Sequence, residues 1–393
     1  MKQITCAFLV AALCACGPET DVTEPGAPLA QVASDPPQYL VEILEPLAAG
    51  FSQGAGINNE GWVSGFTSMS DGTRQAAVWR DGQVTALGTL GGLHSMAVWP
   101  GINNNGMIVG ISRTDTTDLR GETWSCSAFL PGAGKTCLGF FWENDVMTSL
   151  PTLGGPNGFA TGVNARGQVV GWAENLVEDD TCVDPQVYQF RAVLWEPKKG
   201  LKQELRPFGD DSTSAATAIN ARGQAVGISG DCDVAVGRRS ARHAVLWENG
   251  VSRKIGTLGG QFWHTPMAIN ERGDVVGFSN PPDGNLAGDS VRAFLWTPDG
   301  STTDLGKLAG DSFSQAMGIS SSGTVVGVSC GAVCTALVWH DGVQLKLKDL
   351  VAGAFPHHLW SARSINDEGQ ITGRLVEAGT GRLVPFIATP LTP

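Results

Sequence analysis

Four histidines, two adjacent aspartates and three large aromatic residues fall in segments that join one repeating unit of this chain to the next. They are His94, Asp210, Asp211, Trp263, His264, Phe313, His357, His358 and Trp360. Imidazole and carboxylate groups held together could transfer protons or hold a cation, and an indole face could stack on a sugar ring. No HxxxH spacing and no acidic calcium loop is present, so neither a metal nor a cofactor is expected. The chain also lacks a GxSxG elbow, a phosphate-binding loop and a dinucleotide fingerprint. No residue is therefore assigned a catalytic role, and the nine side chains stand as candidate ligand-binding groups.

Cysteines form the second set. Beyond Cys16 the chain carries Cys126, Cys137, Cys182, Cys232, Cys330 and Cys334. An even number suits three bridges, which sequence alone leaves open among 15 connectivities. Cys182 and Cys232 occupy equivalent loops of neighbouring units and are expected to pair. Cys126–Cys137 and Cys330–Cys334 would then each staple a single loop. Without a CxxC motif the expected role is stabilisation rather than redox chemistry.

What must position these groups is a repeat. The segment Ala268-Ile269-Asn270-Glu271-Arg272-Gly273-Asp274-Val275-Val276-Gly277 reads strand, tight turn, strand, and seven versions of it occur. Their turn residues are Asn58, Asn103, Asn164, Asn220, Asn270, Ser320 and Asn366, spaced 45 to 61 residues apart. An Asn side chain can bond the backbone two residues on, and the Gly that follows supplies a positive φ. A third strand follows, ending in Trp79, Trp142, Trp195, Trp247, Trp296 or Trp339, then an Asp-Gly or Asn-Gly turn in most units and a fourth strand. Four short antiparallel strands per unit of this length predict an all-β, seven-bladed β-propeller, with the Trp rings filling the wedges between blades.

The two termini complement each other. The last unit has three strands, Ser361 to Ile365, Gln370 to Leu375 and Leu383 to Thr389. The first ordered segment, Tyr39 to Leu47, is a strand with no unit before it. Pairing the two closes the ring and leaves no orphan edge.

Together the IN-x-x-G-x-V-V-G turn, the A-F-L-W strand and the L-G-T-L-G-G strand resemble the bacterial HAF-type extracellular repeat family, over essentially residues 39 to 389. Ser320 in place of Asn, the missing Trp in Pro385-Phe386-Ile387-Ala388 and a weak third repeat at Thr152 to Gly162 are departures. The resemblance implies an exported repeat protein and brings no catalytic residues with it.

Export is also expected from the N-terminus. Lys2 precedes a short apolar run, Ala7 to Ala15, too short to span a bilayer. Leu13-Cys14-Ala15-Cys16-Gly17 resembles a lipobox with Cys16 as the lipidated residue, so residues 1–16 are expected to be a lipoprotein signal and the partner of the anchor a lipid bilayer. Gly17, rather than Asp, after Cys16 suggests the outer membrane or cell surface. Residues 17–37 lack an apolar face and read as a flexible tether of at most about 70 Å. Residues 38–393 would form the propeller, expected to be monomeric.

The chain has 393 residues and a net charge of -12, with no Lys/Arg run, which argues against a nucleic-acid partner. A small basic ligand is electrostatically allowed. Loops between the second and third strands are long at 111–138, 172–190, 228–243 and 278–291, and share a face with the blade-to-blade loops. Variable loops on a rigid frame usually carry binding. The expected function is a glycan- or protein-binding module. The alternatives are a hydrolase or lyase using His and Asp at the channel mouth, or a structural envelope protein.

Overall fold

The computed structural model describes residues 36–391, apart from 123, 234–236, 238 and 285–289 and the side chains of Trp124 and Ser125. The expected signal, Cys16 and nearly all of the tether lie outside the described residues. Seven four-stranded antiparallel sheets form a β-propeller. In blade 5 the strands are Thr265–Ile269, Val275–Ser279, Arg292–Trp296 and Thr302–Gly306, from the channel outward. Each is within two residues of the run that its apolar, Gly- and Asp-bounded sequence predicts.

The glycine of the V-V-G pattern has a steric cause. The first two strands shift register in blade 5 between Pro266 and Ala268. The bulge presses the Thr265 carbonyl against the next strand, where a Cβ on Gly277 would lie 2.1 Å from that oxygen. A side chain there would force the innermost pair apart.

Turn residues do more than shape their own turns. Asn58 Oδ1 accepts from the N–H groups of Glu60 and Trp62 at 3.1 and 2.9 Å. Its Nδ2 then donates to the backbone oxygen of Asn103 at 3.2 Å, the same position one blade on. The link recurs from Asn103 to Asn164 (2.9 Å), Asn164 to Asn220 (3.0 Å), Asn220 to Asn270 (3.1 Å) and Asn270 to Ser320 (3.2 Å). Asn366 returns it to Asn58 at 2.8 Å. Ser320 has no amide nitrogen to donate; its hydroxyl lies 2.8 Å from Ser322 Oγ. The ring therefore has one gap, between blades 6 and 7.

Tryptophans fill the wedges, and the six at the end of the third strands are all buried. Four of them also tie blades together: Trp79, Trp195, Trp247 and Trp339 donate Nε1–H to the carbonyls of Glu45, Pro151, Arg206 and Leu305 of the preceding unit at 2.7 to 2.9 Å. Buried indoles with a satisfied N–H contribute both area and direction.

Closure follows the complementary termini. Tyr39–Ile43 pairs antiparallel with Leu383–Pro390, from Tyr39 opposite Pro390 to Ile43 opposite Phe386, and becomes the outermost strand of blade 7. This strand is shorter than the expected Tyr39 to Leu47, because the chain turns away after Leu44 donates to the Pro385 carbonyl. Tyr39 is 1% exposed, and burial pushes its hydroxyl up to about 12. Its backbone also bridges Val351 and accepts from Ala352 N at 2.9 Å, next to blade 6.

Among the described residues three disulfides form, Cys126–Cys137, Cys182–Cys232 and Cys330–Cys334, the pairs expected from the loops. Cys182–Cys232 joins the loops of blades 3 and 4.

Two outcomes are expected. Deleting residues 39–43 should lower Tm sharply or produce oligomers in size-exclusion chromatography; a deletion protein that stays monomeric and melts with the wild type would show that closure does not depend on this strand. Ser320→Asn should supply the missing donor to the Asn366 carbonyl and add about 1 kcal/mol, raising Tm by roughly 2 °C in calorimetry. A fall in Tm would mean that the gap is sterically required.

Candidate functional site

The nine candidate side chains do not converge. Asp210 is exposed. Asp211 Oδ2 accepts from Ser229 Oγ at 2.7 Å and pairs with His243 Nδ1 at 2.8 Å. His264 is buried; Ser279 Oγ lies 2.8 Å from its Nδ1, and its Nε2 is 3.0 Å from the Gly260 carbonyl. That carbonyl can only accept, so Nε2 carries the proton and Nδ1 accepts. Burial pushes the imidazole down to about 4, which keeps it neutral.

Asp211 and His264 share one structural task. Ser229 and Ser279 end the second strands of blades 4 and 5, and their hydroxyls accept from Phe208 N and Leu258 N in the incoming loops at 2.9 and 3.0 Å. Asp211 or His264 takes the hydroxyl proton. Asp311 does the same for Ser329 in blade 6, at 2.6 Å. The Ser229–Asp211–His243 contacts contain the residue types of a hydrolytic triad in the wrong order, since the serine bonds the carboxylate instead of the imidazole.

The remaining candidates are also engaged locally. His94 Nδ1 accepts from Arg74 N, His357 Nδ1 from Ala378 N, both at 3.0 Å, and His358 Nε2 donates to the Cys334 carbonyl at 2.7 Å. Phe313 packs among Met267, Phe278 and Val291. The Arg374 guanidinium lies 5.5 Å from the Trp360 ring centroid. Polar loop residues that seemed free in sequence are consumed by loop backbone that strand pairing leaves unsatisfied.

One candidate, Trp263, lines a cavity of about 630 Å³ at the variable-loop end of the channel. Its other walls were not foreseen. Trp99, Phe129, Phe51 and Phe66 supply aromatic surface; Met96, Met267 and Met317 supply soft apolar surface; Gln53 and Gln315 are uncharged. Among the described residues the charged lining groups are Arg74, Arg363 and Arg374, and no carboxylate joins them. Net charge admits a basic ligand, but the described lining of this cavity carries the opposite sign.

Two anomalies in blades 2 and 7 build this space. Ser95, Ser214 and Ser314 are equivalent, each accepting from an alanine N–H of the preceding blade at 2.9 to 3.0 Å. From Ser95 to Asn103 the chain is two residues longer than from Ser214 to Asn220 or from Ser314 to Ser320. The excess, around Trp99-Pro100, is accommodated as a tight turn, with Gly101 N donating to the Trp99 carbonyl at 2.6 Å. Trp99 is thrown inward against Phe129, Phe159 and Trp172, edge to face at 5.5, 5.6 and 6.1 Å. Pro100 lines a smaller void deeper in the channel.

In blade 7 both inward positions carry arginine. Arg363 is three residues before the turn Asn, where other blades place Ala55, Pro100, Thr161, Thr217, Met267 and Met317. Arg374 follows the strand glycine, where the others place Phe66, Ile111, Trp172, Ile228, Phe278 and Val328. Burial, with Arg374 beside it, pushes Arg363 down to about 10; burial also lowers Arg374. Arg363 sits deep in the molecule, yet keeps partial exposure because it borders the cavity.

A separate lock ties blades 2 and 3. Glu122 Oε1 accepts from Val187 N and Tyr188 N at 2.9 and 2.6 Å. Glu174 Oε2 accepts from Asn157 N and Nδ2 at 3.0 and 2.9 Å, and Gln186 Nε2 donates to Glu174 Oε1 at 3.0 Å. Burial and the neighbouring Glu122 push Glu174 up to about 8, and burial raises Glu122. Among the described residues no group of three or more His, Cys, Asp or Glu is placed to hold a metal ion.

No protein-family model matches the chain, and no curated protein matches it. Solved structures do. The uncomplexed acylaminoacyl peptidase of Pyrococcus horikoshii is similar with a TM-score of 0.51 at 11% identity, over 89% of this chain and 54% of the peptidase, so the chain spans about half that protein's length. The β-propeller domain of the Trilobed protease from Pyrococcus furiosus, described as having an open velcro topology, is similar with a TM-score of 0.50 at 11% identity, over 88% of this chain and 97% of that domain. At this identity the likeness establishes the propeller fold.

The raised Glu174 gives a signed expectation. Between the ordinary carboxylate range and pH 8 the unfolded chain releases a proton that the folded chain keeps, so this stabilisation is complete at low pH and is lost as pH rises through about 8. Glu174→Gln, which Gln186 can accommodate by turning its amide, should raise Tm by roughly 2 °C or more at pH 9 and by much less at pH 5. An equal shift at both pH values would contradict a protonated Glu174.

Proposed function

We propose that this chain is an exported, envelope-anchored binding propeller that takes a glycan or protein ligand in the cavity at the loop-bearing end of its channel. The observation that carries this reading is the cavity itself: aromatic walls and arginines, with a volume in the range of small-ligand sites, on the face where the loops vary. Three disulfides accord with an oxidising compartment outside the cytoplasm. The lipobox-like Leu13-Cys14-Ala15-Cys16 and the resemblance to HAF-type repeats support export and lipid anchoring. A hydrolase or lyase reading is weaker because the histidines and Asp211 that it would use are engaged in holding loops.

The test is capture from a glycan array and from solubilised envelope, using wild type, Trp99→Ala and Trp263→Gly. Glycine suits position 263, where φ is +67°. Retention of a specific ligand should fall at least tenfold in both variants while Tm stays within a few degrees. Undiminished retention in both would move the site off the cavity.

A further inference from the structure

The cavity's charges point to the chemistry of its ligand. Arg363 and Arg374 lie close together, and among the described residues neither forms an ion pair. Among the described residues, one N–H donor of the two groups is engaged with the protein: Arg363 Nη2 donates to the Val98 carbonyl at 3.1 Å. Arg374 Nε is buried without a partner. The Phe51 ring centroid lies 5.2 Å from the Arg74 guanidinium and 5.5 Å from that of Arg374. Ring faces attract cations but satisfy no N–H.

Two like charges held partly out of water, with no carboxylate beside them among the described residues, are costly to a fold. The equivalent positions of the other blades are occupied by neutral side chains, so the propeller does not need arginine there. An anion between the two guanidiniums would recover that cost through charge-assisted, forked hydrogen bonds. The rest of the wall restricts the anion's body. Trp99, Trp263 and three methionines present apolar surface, while Gln53 and Gln315 are the lining amides. A polyhydroxylated body would find few partners, and burying it unsatisfied would weaken binding, so of the two ligand classes proposed above these walls disfavour the glycan.

We infer that the cavity binds an apolar carboxylate, its carboxylate on Arg363 and Arg374 and its hydrocarbon or aryl body against Trp99, Trp263 and the methionines. This rests on the cavity being the binding site. The same chemistry is offered by a free aryl or alkyl acid and by the C-terminal residue of a peptide ending in an apolar side chain.

Calorimetric titration of the full-length chain tests it with five probes: 4-phenylbutyrate, its methyl ester, glucuronate, and the tripeptide Ala-Ala-Phe as free acid and as amide. The acid form of phenylbutyrate, of the tripeptide or of both is expected to bind at least tenfold more tightly than its neutral counterpart and than glucuronate. Which acid binds identifies the source. R363Q/R374Q should weaken that binding at least tenfold, with a Tm equal to or above wild type because an unpaired charge pair has been removed. Equal binding of acids and neutral forms would overturn the carboxylate assignment and leave the cavity reading intact. Glucuronate binding as well as the apolar acids would remove the apolar half. No binding by any acid, or a Tm several degrees lower in R363Q/R374Q, would also refute the inference; the cavity reading is then decided separately by the Trp99 and Trp263 variants.

Discussion

One side-chain amide in each of six blades holds the architecture in register. Each turn Asn closes its own turn through Oδ1 and reaches the next turn's carbonyl through Nδ2, so the geometry that makes one repeat also sets the angle to the next. Neither function survives alone, since an Asn free to rotate would not present Nδ2 to its neighbour. Further links run outside this ring: Asn59 N donates to Asn104 Oδ1, Ala221 N to Glu271 Oε1, and Ser321 N to Asp367 Oδ1. A buried or half-buried hydrogen bond is worth about 1 kcal/mol net. Six around a ring with one gap matter more for geometry than for energy, because each fixes a direction.

With the turn end fixed, the opposite end of the barrel is free to vary. There the second-to-third-strand loops lengthen and need their own fastening. Blade 2 is tied to blade 3 through Glu122, and blade 3 to blade 4 through Cys182–Cys232. Arg113 in blade 2 gathers the carbonyls of Leu130, Pro131 and Gly132. The cavity is framed by loops that are individually irregular and collectively clamped, which is the setting in which a pocket can be preformed rather than assembled on binding.

Sequence alone carried the fold much further than the site. Period, turn residues and complementary termini each reported on a rule that all blades obey, so the seven-bladed ring and its closing strand were legible. The local half of the Asn interaction was legible too; the cross-blade half was not, because it depends on the angle between blades. The candidate site was less legible for a different reason. Histidine and aspartate were chosen for the chemistry they can do, but in short loops such groups are the nearest partners for backbone that has left a sheet. His264 and Asp211 illustrate this, each fastening a strand-end serine. The cavity residues are conspicuous only when the blades are compared position by position. Arg363 and Arg374 stand where neighbours are neutral, and Trp99 comes from two extra residues in one innermost strand. A repeat supplies its own reference, and its exceptions mark the places where a rule other than folding operates.

The closing strand has a mechanical meaning. A pull transmitted along the chain toward residue 36 arrives first at Gln38 and Tyr39. Gln38 O holds Leu391 N at 2.7 Å, while Tyr39 is paired with Pro390 and bridged to Val351. Load entering there is shared between blade 7 and the edge of blade 6 before it reaches the Tyr39–Ile43 ladder. Those are also the two blades between which the Asn circuit has its gap, at Ser320. The buried phenol packs in an apolar core that blades 6 and 7 share, so tension on the N-terminal segment would load both blades together instead of peeling one strand from an edge.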